Sequence, residues 1–383
     1  MAREALSSHK PMQQLALTTA FVFCTGLARG IIVQVDYSYD AANGNFFGQV
    51  PAAKAAVDAA AADLSAAILP SLGAINTDTF TGTSGVTSAT FNWSISFDNP
   101  STGASVTLDT FTPVPADTIT LHVGMRPLTS NTLGRGGPEG AGIQLGFSGL
   151  PTQFPAALDN AEAASNAVMP RGGGPVIGSI NGQATFVTTT SSYSVQYGAI
   201  AGSLVFDNDT DNNGTADSLT QLASFWHYDP TTAVAAGKND FYSVALHEMI
   251  HALGLGTSET WNDLQDATTW LGSNAKALNG GSGLNLVSTD GGHIAEGLMS
   301  PRLSDGITQE AAMDPSILTG TRKSLTQMDL AFLRDLGYVT VPEPSAIGLC
   351  AMALLGLGFF RRRRRRSDLV FPHSCDHVDA TGD

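Results

Sequence analysis

The feature that most constrains this chain is an apolar segment that contains two histidines four residues apart. Asn239-Asp240 offers a helix N-cap, and the helical apolar pattern from Phe241 to Leu253 ends at Gly254. Within this segment lies the run His247-Glu248-Met249-Ile250-His251. Residues four apart lie above one another on the same helix face, so both imidazoles can bind one ion. The spacing therefore predicts a metal-binding helix.

The ligand type and the residue between the histidines favour Zn²⁺ as the cofactor. Neutral imidazole nitrogen binds Zn²⁺ at about 2.0–2.1 Å. Glu248 follows the first histidine, so it lies beside the ion without having to bind it. There it can act as a general base on a water that the metal acidifies. The same five-residue pattern also arises by chance in structural helices, but the cap and the terminal glycine favour the zinc interpretation.

A catalytic zinc site needs a third protein ligand and one open position. Histidine is scarce between residues 31 and 342, where it occurs at 122, 227, 247, 251 and 293. The candidates for the third ligand are His293 and, as alternatives, the carboxylates of Glu296 and Glu259. His122, within a strand pattern, and His227, among aromatic residues, are interpreted as structural.

These motifs resemble those of the metzincin zinc peptidases. The short metzincin pattern would place its third histidine at Thr257, which is a poor zinc ligand. The segment Gly292–Pro301, in which His293 precedes Met299, is instead similar to the leishmanolysin-type arrangement with an insertion, and this resemblance implies that His293 is the third ligand. Over residues 240–338, the resemblance implies a zinc metalloendopeptidase that acts on a peptide or protein substrate. It also implies that Met299 lies in a methionine turn beneath the metal.

The order of predicted elements indicates an α+β fold, because strands lie mainly before the helix of the two histidines and helices after it. Strands are predicted at 31–37, 118–123 and 184–190, a helix at 52–72, and a glycine-rich loop at 134–142. With the resemblance, this predicts a two-lobed metzincin-like peptidase. Residues 31–254 form an N-terminal lobe of mixed sheet and helix, and residues 255–340 form a C-terminal lobe of helices and loops. In such folds an extended substrate lies against an edge strand, which we expect near residues 184–206.

An acidic segment, residues 207–217, has oxygen side chains at alternating positions and a glycine at the sharp turn. Asp209, Asp211, Asn213 and Asp217 occupy the positions that supply ligands at the start of an EF-hand-type Ca²⁺ loop. The closing glutamate of such a loop is replaced by Thr220. A Ca²⁺ site is one interpretation of this segment, and a solvated acidic turn is the other.

Both ends of the chain carry targeting features. Residues 1–30 read as a signal peptide, with basic residues before an apolar run and small residues at its end. Residues 341–366 resemble the bacterial PEP-CTERM sorting signal, because Pro-Glu-Pro precedes a short apolar stretch and six arginines. This resemblance implies export, an exosortase-type sorting enzyme as partner, and transient or C-terminal membrane association. The polar tail, residues 367–383, departs from the usual signal, which ends at the arginines.

Composition excludes some functions. Residues 31–342 contain 10 basic and 28 acidic side chains, so nucleic-acid binding is not expected. They contain no cysteine, which excludes disulfides, thiolate ligands and a cysteine nucleophile. We therefore expect an exported zinc metalloendopeptidase of the cell envelope or extracellular space. The alternative is a non-catalytic zinc-binding protein of the envelope or extracellular matrix.

Overall fold

The structure is a computed structural model that describes residues 30–109, 113–287 and 291–342. It is a mixed α/β protein with several sheets. Its helices are α1 (Ser38–Ala42), α2 (Phe46–Gln49), α3 (Pro51–Ala67), α4 (Phe154–Asn166), α5 (Leu219–Phe225), α6 (Phe241–Ala252), α7 (Glu259–Asp263), α8 (Ser273–Leu278) and α9 (Gln327–Asp335).

The longer strands precede α6, as expected. They are β1 (Ile32–Asp36), β2 (Thr79–Ser84), β3 (Thr87–Asp98), β4 (Ser105–Asp109), β5 (Thr118–Arg126), β6 (Gly134–Pro138), β7 (Gly140–Ser148), β8 (Val176–Phe186), β9 (Thr189–Gly198) and β10 (Ala201–Asp207). The strands from residue 226 onward have two or three residues each. They are β11 (Trp226–His227), β12 (Asn239–Asp240), β13 (Gln265–Asp266), β14 (Thr269–Trp270), β15 (Leu284–Asn285), β16 (Met299–Pro301) and β17 (Thr308–Glu310).

A four-stranded sheet with the order β1-β5-β10-β6 supports α6. The first three strands are parallel, and β6 pairs antiparallel with β10 at the edge of the sheet. Helices α3 and α6 pack against each other, and α6 also packs on β6 and β10. The side chains of Leu121, Val123 and Leu204 are fully buried in the core of this layer. This sheet therefore positions the helix that carries the two histidines.

A second layer lies around β3, which pairs antiparallel with β2, β4 and β7. Helix α4 packs on β2 and β3 and also contacts β9 of the β8–β9 hairpin. Its apolar face is buried through Phe154, Ala157, Leu158 and Ala161. The helix thus joins the second sheet to the hairpin.

Two predicted elements are wrong, and both errors concern strands. Residues 134–142, predicted as a loop, form β6 and the start of β7. The predicted strand at 184–190 crosses a hairpin turn at Val187, where φ is 59°. Strand β10 lies inside the sheet, so the edge strand beside α6 is β6 rather than a strand at 184–206. Glycine lacks the side chain that makes strand alternation visible in a sequence.

The chain after α6 packs on the same hydrophobic core as the chain before it. Its last helix, α9, begins with a capping box between Thr326 and Asp329. Within the described ranges, no helix combines the length and the apolar character needed to span a membrane. The predicted signal peptide, apart from Gly30, and the predicted sorting segment after Pro342 lie outside the described residues.

Candidate metal centre

Helix α6 begins and ends where its sequence predicts. The Ser243 amide donates to the Asp240 carboxylate at 3.2 Å, and Arg322 holds that carboxylate with two further bonds of 2.9 and 2.7 Å. After the last turn, Gly254 adopts a φ of 106°, a left-handed conformation that favours glycine. Its amide donates to the His251 carbonyl at 2.9 Å. Both ends of the helix are therefore held by specific bonds.

The three predicted histidines lie together. The Nε2 atom of His251 lies 3.0 Å from Nε2 of His247 and 3.0 Å from Nε2 of His293. On the opposite side of its ring, His247 Nδ1 donates to the Ala312 carbonyl at 2.8 Å, and His251 Nδ1 donates to the Leu255 carbonyl at 2.7 Å. Bonds of this kind set the ring orientation and tautomer of metal-binding histidines. The three imidazoles are thus aimed at one point.

The chemistry of these nitrogens fits a shared cation. A carbonyl oxygen only accepts hydrogen bonds, so the proton of each neutral ring is on Nδ1 and a lone pair is on Nε2. Burial lowers the pKa of His247 to about 4, so its ring is neutral at pH 7. Two lone pairs 3.0 Å apart repel unless a cation lies between them. Nitrogens bound tetrahedrally to one Zn²⁺ are separated by roughly 3.3–3.4 Å, close to the observed spacing.

Helix α9 holds the carbonyl that orients His247. The Asp329 carboxylate accepts from the amides of Ala312 at 3.0 Å and Met313 at 3.2 Å. It also accepts from the amide of Thr326 at 2.8 Å, which completes the cap of α9. The fully buried Asp329 therefore connects the helix cap to the turn that carries the Ala312 carbonyl. Residue patterns do not reveal this link, although Met313-Asp314-Pro315 is a recognisable turn signal.

The loop that carries His293 is held from two sides. The Trp261 indole donates to the Gly291 carbonyl at 2.9 Å. Next to it, Gly256 faces the Gly292 carbonyl so closely that a Cβ atom would lie 2.1 Å from its oxygen. Gly256 also has a φ of 77°, so glycine is needed there on both counts. These contacts bring a histidine 42 residues from His251 to the other two rings.

Glu248 lies beside the three histidines but is not one of the converging ligand groups. Its side chain is buried, and burial raises its pKa to about 8 in the absence of a cation. The Gly136 amide, which donates to the carboxylate, and the charge of Arg135 act in the opposite direction. The backbone of β6 can come this close to Glu248 because residue 136 is glycine and has no Cβ. A Cβ there would lie 2.0 Å from the Glu248 carbonyl oxygen. The buried carboxylate therefore lies against β6 and lines the same cleft as His247 and His293.

An open cleft of about 430 Å³ gives access to the histidines and Glu248. One wall is formed by residues 131–134, the last of which begins β6, and the other by the chain from Ala312 to Ile317. Lys323 lies at this second wall, where it pairs with Asp314 at 3.0 Å and Glu310 at 2.9 Å. The cleft therefore presents an edge strand and apolar side chains directly beside the candidate metal position.

Three predicted site residues lie elsewhere. Met299 is 55% exposed in β16, so it does not form a turn beneath the metal; Met313 is buried in the turn next to Ala312. Glu259 accepts a hydrogen bond from Ser179, and Glu296 accepts one from Ser316 at 2.7 Å. Neither glutamate belongs to the convergent group of His247, His251 and His293. Met299 is exposed and Met313 is buried, and this difference is decided by tertiary packing.

The acidic segment uses its oxygens for backbone hydrogen bonds. The two oxygens of Asp209 accept from the amides of Asn213 at 3.0 Å and Gly214 at 2.7 Å. Asp217 accepts from Thr210 at 2.8 Å. Across residues 30–109, 113–287 and 291–342, the acidic groups of this segment do not converge as the histidines do. Binding of Ca²⁺ by Asp209, Asp211, Asn213 and Asp217 stays a prediction.

Three other polar rings stabilise the fold. His122 is buried, bonds to Asp36 at 2.9 Å and stacks on Phe97. His227 lies 3.2 Å from the Thr232 hydroxyl. The Tyr338 hydroxyl donates to the Leu253 carbonyl at 3.0 Å, at the end of α6. The contacts of His122 agree with the structural role that the sequence suggests for it, whereas the structural role of His227 stays a prediction.

Comparison with known proteins identifies the C-terminal segment alone. Residues 340–365 match the family described as the PEP-CTERM protein-sorting motif. This chain carries a PEP-CTERM signal. The motif indicates export, sorting to the envelope, and recognition by an exosortase-type enzyme. No curated protein and no solved structure matches the chain.

Proposed function

We propose that this protein is a PEP-CTERM-sorted, zinc-dependent metalloendopeptidase. The observation that carries the proposal is the convergence of three imidazole nitrogens, with spacings of 3.0 Å, beside a buried glutamate that is not a ligand. Catalytic zinc sites combine three protein ligands with one open position. His247, His251 and His293 would hold the ion, and the cleft would leave the fourth position accessible to substrate.

The surroundings support a metzincin-like peptidase fold. Strand β6 is an antiparallel edge strand next to α6, the place where such folds bind an extended peptide. Met313 is buried next to Ala312, so it, rather than Met299, would be the methionine beneath the metal. The Ala312 carbonyl in the same turn orients His247.

The chain's own residues divide the chemistry between them. When bound, Zn²⁺ supplies a Lewis acid that polarises the scissile carbonyl and acidifies water. The Glu248 carboxylate accepts the proton of the attacking water and returns it to the leaving nitrogen. A neighbouring cation favours the ionised carboxylate, which offsets the raised pKa of Glu248. Strand β6 would orient the peptide along the open cleft.

The decisive experiment is an assay with casein as an unfolded substrate. The purified protein should cleave casein, lose activity with a chelator and regain it when Zn²⁺ is added back. Glu248→Gln should keep one equivalent of zinc and lose about 10²–10⁴-fold in rate, the usual contribution of a general base. Glu259→Gln is the matched control, because Glu259 bonds to Ser179 outside the histidine cluster.

The outcomes separate the proposal from its alternative. A protein that binds zinc stoichiometrically but cleaves no peptide substrate would be a zinc-binding envelope or matrix protein. Full activity of Glu248→Gln would show that another group handles the protons. Loss of zinc in Glu259→Gln would reinstate that glutamate as a ligand.

A further inference from the structure

Two arginines without an ion-pair partner line one pocket on the far side of the central sheet. Arg126, at the end of β5, and Arg135, in β6, face a pocket of about 370 Å³ between the two sheets. Among the described residues, neither has a carboxylate within ion-pair distance, whereas Arg302 and Arg322 do. The Nε atom of Arg126 is buried and has no hydrogen-bond partner. A buried charged donor without an acceptor is costly, so an anion there would stabilise it.

The alternation of β6 places this pocket opposite the metal centre. Gly134 and Gly136 face α6, since a Cβ on either would lie within 3.0 Å of an atom of Glu248. Arg135 lies between these two glycines and Gly137 follows Gly136. Because successive residues of a strand point to opposite faces, Arg135 and Gly137 face away from α6. A Cβ on Gly137 would meet no atom within 4 Å, which leaves this part of the edge open to a ligand.

The pocket has the charge and donors that suit a carboxylate. Besides the two arginines, its polar lining consists of Ser96, Ser105, Ser203 and the exposed Asp98. Two guanidinium groups against one carboxylate leave a local positive charge, in a region of the chain with 10 basic and 28 acidic residues. Guanidinium groups bind carboxylates through two parallel hydrogen bonds, and serine hydroxyls can donate as well.

A peptide that pairs with β6 would present side chains to this pocket. Side chains directly opposite each other on paired strands lie on the same face, so a residue opposite Arg135 or Gly137 points away from α6. We propose that the pocket of Arg126 and Arg135 is a substrate subsite that binds the side-chain carboxylate of a glutamate or aspartate near the scissile bond. The inference rests on the proposed peptidase function and adds a substrate preference to it.

The test is cleavage-site mapping on a peptide library derived from a whole proteome. Wild-type protein should show acidic residues enriched at one fixed position relative to the cleaved bond. Two peptides are then compared that differ only in having Glu or Gln at that position, and the measured quantity is kcat/KM for the Glu peptide divided by kcat/KM for the Gln peptide. Arg126→Gln and Arg135→Gln should each lower this ratio by roughly 10- to 100-fold, the range for a charge-assisted bond. The ratio cancels any effect of Arg135 on Glu248 itself.

Lys276→Gln is the control, because Lys276 also lacks an ion-pair partner in the described part of the chain but lies on α8. It should leave the Glu-to-Gln ratio unchanged. Cleavage without an acidic preference, or a preference retained in both arginine variants, would overturn the subsite while leaving the peptidase function intact.

If the protein cleaves no peptide, the pocket is tested by measuring the binding of poly-glutamate with isothermal titration calorimetry. Binding by wild type that weakens in Arg126→Gln and not in Lys276→Gln would support a carboxylate site even though the peptidase proposal had failed. Absence of binding, or equal binding by all three proteins, would overturn the inference.

Discussion

Gly136→Ala tests whether β6 must contact the helix of the candidate metal centre. A Cβ at this position would lie 2.0 Å from the Glu248 carbonyl oxygen, and the next contacts, at 2.6 and 2.8 Å, are also backbone atoms of Glu248. No side-chain rotation can relieve these contacts, because strand and helix meet through their main chains. Reaching the 3.4 Å of ordinary contact requires β6 and α6 to separate by about 1.4 Å.

This separation has two measurable effects. Forcing an extra carbon into a well-packed layer destabilises a protein by roughly 1–3 kcal/mol. The Gly136 amide would also move away from the Glu248 carboxylate that it binds. A displacement of about 1 Å at reacting groups can lower a rate by about 100-fold. We therefore expect Gly136→Ala to lower the free energy of unfolding and kcat together.

Gly137→Ala is the matched control, since its new Cβ would meet nothing within 4 Å. Urea unfolding of both zinc-loaded variants gives the stability difference, and kcat on one peptide gives the catalytic difference. Gly137→Ala should retain wild-type stability within about 1 kcal/mol. If Gly136→Ala unfolds at the same urea concentration as Gly137→Ala and has the same kcat, β6 does not pack on α6 as described.

Three further predictions concern the metal and the buried polar groups. His293→Ala should weaken zinc binding by more than about 100-fold in a competition assay, because loss of a metal ligand costs more than loss of a residue that only orients a ligand. Unchanged zinc affinity would exclude His293 as a ligand. Tyr338→Phe should cost about 1 kcal/mol of unfolding free energy, measured in urea, through the lost bond to Leu253, and a fall in kcat would contradict a purely structural role. Burial raises the pKa of Glu139 from 4.5 to about 7, so the folded protein keeps this proton to higher pH than the unfolded chain. The contribution of Glu139 to stability should therefore be lost as pH rises from 4.5 to about 7, so the unfolding free energy of wild type, measured in urea, should fall relative to that of Glu139→Gln across this window; parallel pH profiles would refute this.

Some parts of the candidate site follow from local rules. The ends of α6 at Asp240 and Gly254 follow from capping and glycine conformation, which depend on neighbouring residues alone. The spacing of His247 and His251 places both rings on one face for the same local reason. The interpretation of His293 as a ligand depended instead on the resemblance of residues 292–301 to a known family pattern, and the structure brings its ring to the other two.

Other parts could not be inferred from residue patterns. Met299 follows His293 at the spacing expected for a methionine turn, yet it is exposed, whereas Met313 is buried beside Ala312. Which methionine is buried depends on how α9 holds the chain at residues 312 and 313 through Asp329. That contact joins residues far apart in the sequence, and periodicity carries no information about it.

The sequence by itself determined the helix with its two imidazoles and adjacent carboxylate, and the sorting signal at 340–365, because each depends on residues within a few turns of chain. The tertiary structure decided that a glycine-rich segment is the edge strand β6, and that His293 completes the histidine cluster. Glycine has no side chain that could show the alternation of a strand in the sequence. At position 136 its missing side chain leaves space for the backbone of Glu248. Such space exists only once strand and helix are packed together.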